Sequence, residues 1–248
     1  MSGALQNTWT VARRELGGYF GAPVAYVFII IFLLLTGFFT FSVGRFYEMG
    51  QADLAPFFLW HPWIFLFLVP AVAMRLWAEE WRTGTIELLM TLPVSIPQIV
   101  LGKFLAAWLF IAIALFLTFP LVLTVAYLGD PDLGAVACGY AGSLLMAGAY
   151  IGIGGMTSSL TRNQVISFIV SLVICLFLVL AGWPPVTGML AGWAPAWLVD
   201  TVSGLSFMPH FMAMQRGILD VRDVIYFFSV IFFMLSATGV ILRNRRAF

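Results

Sequence analysis

Six long runs of apolar residues limit what this chain can fold into more than any other feature. Each run is close to the ~20 residues that an α-helix needs to cross a bilayer, and a helix satisfies its own backbone hydrogen bonds there. We place the spans at residues 24–44, 60–78, 102–127, 134–160, 164–182 and 223–243. The sequence therefore predicts an all-α integral membrane protein with six transmembrane helices and a single transmembrane domain over residues 1–248.

The placement of basic residues predicts the orientation of these spans. Only 9% of the residues are charged, so each charge is informative. With the N-terminus inside, the cytoplasmic basic residues are Arg13, Arg14, Arg75, Arg82, Lys103, Arg162, Arg243, Arg245 and Arg246. The external ones are Arg45, Arg216 and Arg222. Because Lys and Arg concentrate in cytoplasmic loops, both termini are predicted to be cytoplasmic.

The N-terminal segment 4–20 has the pattern of an amphipathic helix. Leu5, Trp9, Leu16 and Tyr19 recur at helical spacing, with polar residues around the rest of the wheel. Such a helix lies in the membrane interface with its apolar face down, so these four side chains are predicted to contact the membrane lipids. The alternative is a helix that packs on a partner.

The loop 79–95 is a dense cluster of charge between two apolar spans. Gly84-Thr85 can begin a short helix with Thr85 as its N-cap, and Pro93 would end it. Ser95 and Gln98 then fit a capping box that opens the third span. A short helix that carries both carboxylates and apolar residues suits docking onto a soluble protein; the alternative is a helix lying on the membrane surface.

The segment 183–222 is rich in Trp, Met, Pro and Gly, and its apolar stretches are too short to span. This composition favours re-entrant or interfacial helices before the last span. An external loop with aromatic anchors is the alternative.

Within the spans, two sets of small residues are candidates for a role. Gly148 and Gly152 form a GxxxG pair that permits close helix packing. Five hydroxyls could line a path, although such groups often bond to their own helix carbonyls: Thr118, Thr124, Ser143, Ser167 and Ser171. No ionisable residue lies deep in a predicted span, which argues against a proton-coupled transporter.

Several motifs resemble those of the ABC-2 type permeases. They are Arg13-Arg14-Glu15-Leu16, Gly21-Ala22-Pro23-Val24-Ala25-Tyr26, Arg75 with Glu79-Glu80 and Arg82, Gly84-Thr85 with Glu87-Leu88-Leu89, Pro93-Val94-Ser95 and Leu101-Gly102-Lys103. Residues 127–132, 161–164 and 216–220 are similar to the gliding-motility (GldF-like) branch of that family. The resemblance extends along nearly the whole chain.

The resemblance implies a membrane-spanning permease subunit of the bacterial inner membrane that works with a separate P-loop ATPase. Residues 4–20 would be its elbow helix and 79–95 its coupling-helix loop. The residues that would couple to the ATPase are Glu79, Glu80, Arg82, Gly84, Thr85, Glu87, Leu88 and Leu89. The chain has no GxxxxGK[ST] phosphate loop, so ATP and Mg²⁺ are expected on the partner and no cofactor or metal on this chain.

The resemblance also implies a second membrane subunit, either another copy of this chain or a related subunit with an external domain. Export or mechanical signalling would be the task, and no nucleic-acid partner is expected. Two alternatives stay open. The first is an intramembrane lipid-modifying enzyme that uses Glu79 and Glu80, or His61 with Asp53. The second is a membrane anchor of a surface or gliding-type complex.

Overall fold

A computed structural model of the chain describes residues 2–87 and 94–245, and these residues form a bundle of α-helices. The N-terminal half contains α1 (Ser2–Gly21), α2 (Pro23–Phe38, continued by a π-helical turn Phe39–Val43), α3 (Phe46–Met49), α4 (Ala55–Leu59), α5 (His61–Ala73), α6 (Arg75–Thr83), α7 (Ile96–Phe116) and α8 (Phe119–Leu128). The C-terminal half contains α9 (Leu133–Leu160), α10 (Gln164–Leu180), α11 (Pro184–Ala191), α12 (Ala196–Gly204), α13 (Phe207–Gln215) and α14 (Val221–Arg245). No β-strand occurs within the described ranges.

Five of the described helical segments are long and apolar enough to cross a membrane: Pro23–Met49, His61–Thr83, Ile96–Leu128, Leu133–Leu160 and Val221–Arg245. The sixth candidate is α10 together with α11, which are bent by 67° relative to each other. The predicted all-α fold and its apolar spans are confirmed. Helix α7, which forms the third span, begins at Ile96, ahead of the predicted span 102–127. It begins there because Ser95 and Gln98 form the predicted capping box.

Helix α9 lies at the centre of the bundle and packs against α5, α6, α7, α10, α13 and α14. Close approach is possible because glycines replace bulkier residues on its faces. A Cβ at Gly154 would overlap the Cβ of Ala73 on α5, and one at Gly139 would lie 2.6 Å from the Phe58 ring. In a bilayer the tails are as apolar as leucine, so packing and hydrogen bonds of this kind hold the helices together.

Polar contacts join α9 to α5 along its length. The Nδ1 atom of His61 lies 2.7 Å from Ser143 Oγ, and the Tyr150 hydroxyl donates to the Pro62 carbonyl at 3.0 Å. His61, which the lipid-modifying alternative pairs with Asp53, is fully buried, contacts Ser143 and stacks on Phe65.

A single serine of α9 holds the junction of α5 and α6. Ser158 Oγ accepts the backbone N–H groups of Trp77 and Ala78 at 3.0 and 2.9 Å and donates to the Met74 carbonyl at 2.8 Å. The first turn of a helix leaves N–H groups without intrahelical partners, and a buried one is costly. Ser158 therefore fastens the start of α6 to α9.

Three short helices, α11, α12 and α13, precede the last span in the segment for which helices too short to span were predicted. Helix α13 is buried through Phe207, Met208, Phe211 and Met214, whereas α11 and α12 have no buried residue. Trp193 and Trp197 are 76% and 68% exposed. The segment 183–222 thus contains one buried helix, α13, and two outer helices, with exposed tryptophans on α12 and in the connection before it.

Candidate functional site: the basic end of the bundle

One end of the bundle, here called the basic end, gathers α1, α6, the first turns of α7 and the last turns of α9 and α14. Two contacts of Arg245 close it: the guanidinium donates to the Leu160 carbonyl at 2.5 Å and lies 5.2 Å from the centroid of the Trp81 ring. The opposite end carries α3, α4 and the start of α9, and a contact from Gln215 Nε2 to the Ala55 carbonyl at 2.9 Å. Helix α1, helix α6 and the end of α14 are far apart in the sequence and were expected on the same side of the membrane. They lie at the same end of the bundle.

The centre of the basic end is a buried ion cluster, the Lys103 cluster, formed by Lys103, Glu15, Glu80 and Trp77. Lys103 Nζ lies 2.6 Å from Glu80 Oε1, 3.1 Å from Glu15 Oε2 and 5.4 Å from the Trp77 ring centroid. The Lys103 side chain is 3% exposed. An ammonium group is buried only when it is paired, and here two carboxylates and an aromatic face replace water. The cluster joins α1, α6 and α7.

The cluster also fixes the ionisation of Glu15. Burial alone would raise the pKa of this carboxyl, but the charges of Lys103 and Arg14 outweigh it and hold the pKa below its ordinary value of 4.5. Arg14 donates to Glu15 Oε1 at 3.0 Å. Burial raises the pKa of the nearby Tyr19 hydroxyl above its usual range, and the Glu15 charge acts in the same direction. Glu15 is therefore an anion and Tyr19 a neutral phenol.

Glu80 does not occupy the exposed position expected for a docking residue. Its side chain is 16% exposed because it turns inward to Lys103, and its second oxygen, Oε2, has no hydrogen-bond partner among the described residues. Glu79 and Arg82 do face outward, because their side chains are 46% and 63% exposed. Arg82 Nη2 lies 3.9 Å from Glu79 Oε1. The exposed charged surface of α6 is thus this pair.

Gly84 ends α6 and redirects the chain. Its φ of +73° is left-handed, a conformation that costs little only for glycine. Residues 85–87 are again helical, and Thr85, the predicted N-cap, is the first of them. Thr85 and Glu87 are exposed and Ile86 is buried. The continuation with Leu88, Leu89 and Pro93 lies outside the described residues.

Helix α1 divides its apolar residues between two environments. Leu5 and Trp9 are 73% and 57% exposed, in positions where they can contact lipid. Leu16 and Tyr19 instead pack on the protein core, and Tyr19 stacks on Phe110 at 5.3 Å. Because α1 packs along α7, these two side chains are partly buried, and membrane contact by all four stays a prediction.

The glycine pair faces the last span. A Cβ at Gly148 would lie 2.9 Å from Ile231 Cδ1, and one at Gly152 would lie 3.2 Å from Met234 Cβ. Both residues of α14 belong to the same chain. The close approach that a GxxxG pair permits is used here between α9 and α14.

The five hydroxyls proposed to line a path lie in separate places. Thr124 is exposed and bonds to the Pro120 carbonyl of its own helix. The other four are buried, and each forms a hydrogen bond with a side chain of another helix: Thr118 with Tyr140, Ser143 with His61, and Ser167 and Ser171 with Thr157. Within one subunit these groups serve helix–helix contacts.

The sequence matches the family model described as ABC-2 family transporter protein over residues 41–242. The chain belongs to the ABC-2 transporter family. A search of curated proteins gave no match. Family membership makes this chain a multi-pass membrane component of a transporter and implies an ATP-binding partner. The matched region includes α6, Gly84 and Lys103 and excludes α1.

The ABC-2 chain has contacts that sequence reasoning did not find. His210 was not assigned a partner, yet its Nδ1 lies 2.6 Å from Asp223 Oδ1 and its ring stacks on Tyr226. A lysine in an apolar helix needs a buried acid, and this signal could have linked Lys103 to Glu80. Among the described residues, no group of three His, Cys, Asp or Glu side chains could hold a metal ion.

Proposed function

We propose that this ABC-2 chain is the permease subunit of an ATP-driven export or mechanical-signalling complex and that a separate P-loop ATPase docks on its basic end. The single observation that carries the proposal is the outward-facing pair Glu79–Arg82, followed directly by Gly84 and the exposed Thr85 and Glu87. ATP and Mg²⁺ would be held by the partner. Residues 79–95, with Leu88 and Leu89, would form the coupling-helix loop.

The attachment of α6 supports a mechanical link from this surface into the bundle. Ser158 fastens the start of α6 to α9, and the Lys103 cluster fastens its second half to α1 and α7. A displacement of the loop after Gly84 would therefore move α6 against several helices at once. Polar contacts of this kind are the interactions that hold two helices together in a bilayer.

Charge placement supports a cytoplasmic position for the basic end. Arg14, Arg82, Lys103 and Arg245 make their contacts at this end, while Arg216 lies at the opposite end beside Asp53 and Asp132. By the positive-inside rule, both termini are then cytoplasmic. A bacterial inner membrane is the location that the family resemblance implies.

Exposed apolar faces support a partner within the membrane. Helices α2, α10 and α14 present side chains such as Leu34, Phe177 and Phe232, which are 66%, 62% and 75% exposed. Lipid, a second copy of this chain, or a related subunit with an external domain could cover these faces. The similarity of residues 127–132, 161–164 and 216–220 to the gliding-motility branch favours a heteromeric assembly.

The test compares how much ATPase the wild-type chain and its charge-reversed variants capture. The tagged chain is purified in mild detergent, and the ATPase activity and the P-loop proteins in the eluate are measured. Glu79→Lys should reduce the captured ATPase activity about tenfold, since it places a positive charge beside Arg82 on the docking surface. Glu48→Lys is the matched control, because Glu48 forms a similar exposed pair with Arg45, 3.3 Å away, at the opposite end.

Two results would contradict the proposal. The first is a stable wild-type chain that brings down no ATPase. The second is an equal loss for Glu79→Lys and Glu48→Lys, which would indicate a general effect of charge reversal.

A further inference from the structure

A cavity of about 390 Å³ lies at the basic end between α1, α2, α7 and the junction of α5 and α6. Its size is within the range of about 300–1,000 Å³ that is typical of ligand pockets. One part of its wall is charged, with Arg75, Glu15 and Glu79, and another part is aromatic, with Phe28 and Phe110. The cavity is therefore amphipathic.

Arg75 supplies an uncompensated positive charge at the polar part of this cavity. Glu15 is paired with Lys103 and Arg14, and Glu79 is paired with Arg82. Arg75 is half-buried and lines the cavity. Its guanidinium makes no ion pair or hydrogen bond within residues 2–87 and 94–245. A guanidinium presents a planar fork of N–H donors that fits the oxygens of a phosphate.

An apolar stripe continues from the rim of the cavity along the outer face of α2. Val24 lines the cavity and is 48% exposed. Val27, Ile31 and Leu34 follow on the same helical face and are 52%, 41% and 66% exposed. The polar group and the stripe thus stand in the order of a lipid headgroup and its acyl chains.

We propose that this cavity binds one membrane phospholipid, with its phosphate on Arg75 and its acyl chains along α2. A phospholipid is preferred to a second protein copy because the pocket combines one unpaired guanidinium with an open apolar track of helix length. The site does not depend on the docking of an ATPase, so it stands apart from the proposed function.

The test measures lipid binding to the purified full-length chain by native mass spectrometry in detergent. The probes are phosphatidylethanolamine and a diacylglycerol with the same acyl chains but no phosphate. Arg75→Gln removes the phosphate partner, and Arg13→Gln is its control because Arg13 is exposed and does not line the cavity. Loss of one charge-assisted contact should weaken phosphatidylethanolamine binding about tenfold in Arg75→Gln and leave it unchanged in Arg13→Gln.

A second pair of variants tests the cavity by filling it. Gly18 lines the cavity and Gly17 does not, and an added Cβ would meet no atom within 4 Å at either position. Gly18→Leu should abolish retention of the lipid, whereas Gly17→Leu, with the same gain in helix propensity, should not. Both variants are expected to fold, so lost binding can be assigned to the site.

Three outcomes would overturn the proposal. Equal binding of diacylglycerol and phosphatidylethanolamine would show that the phosphate contact with Arg75 does not contribute to binding. Equal lipid retention in Gly18→Leu and Gly17→Leu would place the lipid elsewhere. A chain that retains no lipid and pairs with a second copy through α2 would make the cavity part of a protein interface.

Discussion

Replacing Lys103 by Met should destabilise the chain more than the loss of any exposed cation at the same end. The change keeps an apolar side chain of similar length and removes the ammonium from between Glu15 and Glu80, with which it makes contacts of 3.1 and 2.6 Å. The two carboxylates are then left together in a largely buried site. Removing one partner of a buried pair typically costs about 3–5 kcal/mol.

The lower end of that range applies here. The side chains of Glu15 and Glu80 are 22% and 16% exposed, so water can reach part of each carboxylate after the change. We expect a loss of about 3 kcal/mol in the free energy of unfolding, or roughly a hundredfold in the unfolding equilibrium constant. The measurement is unfolding by sodium dodecyl sulfate in mixed micelles, followed by circular dichroism.

A double-mutant cycle separates the ion pair from other effects of the substitution. Adding Glu80→Gln to Lys103→Met should destabilise less than the sum of the single changes, with a coupling of about 0.5–3 kcal/mol. Arg162→Met is the control, because Arg162 is exposed at the same end and should change stability by about 0.5 kcal/mol or less. A loss in Lys103→Met no larger than in Arg162→Met, or strictly additive effects, would refute the reasoning.

Three further predictions follow from the same structure. Because the pKa of Glu15 in the folded chain lies below its ordinary value of 4.5, its contribution to stability is complete above pH 4.5 and is lost as the pH falls further. The thermal midpoint should therefore drop in acid, and a midpoint that is constant between pH 5 and pH 3 would contradict this sign. Gly154→Ala, whose Cβ would overlap Ala73, should cost about 1–3 kcal/mol by overpacking. Gly239→Ala, with nothing within 4 Å of the added Cβ, should cost no stability in the same unfolding assay and gain up to about 1 kcal/mol from helix propensity. Ser158→Ala should cost about 1–3 kcal/mol because it leaves two buried N–H groups at the start of α6 unpaired, and faster amide hydrogen exchange in α6 would confirm the cause.

The parts of the fold that depend on local sequence could be predicted. Apolar run length gave the spans, and the Ser95–Gln98 capping box gave the start of α7, because both signals lie within a few residues of their effect. The turn between α9 and α10 was predictable for the same reason, since Asn163 caps α10 through its own side chain. Local chemistry thus determines where the helices begin and end.

The contacts of the site depend on residues far apart in the chain and could not be predicted in this way. His61 and Ser143 are 82 positions apart, and Ser158 meets Trp77 across 81 positions. Glu80 was assigned to the docking surface by the family resemblance, but neighbours on a helix point about 100° apart, and Glu80 turns inward to Lys103. Which of Glu79 and Glu80 faces inward is decided by the packing of α6 against α9 and α10, which turns Glu80 toward Lys103.

The order of residues in the Lys103 cluster bears on how the protein is made. Glu15 and Glu80 both precede Lys103 in the chain, so the ribosome has released α1 and α6 before α7 emerges. Lys103 lies near the start of α7, where burying its ammonium group is favourable only with its counter-charges in place. Because its counter-charges have already been synthesised, Lys103 can be neutralised as it enters, and a chain that lacks α1 would have to insert this helix with one of the two carboxylates missing.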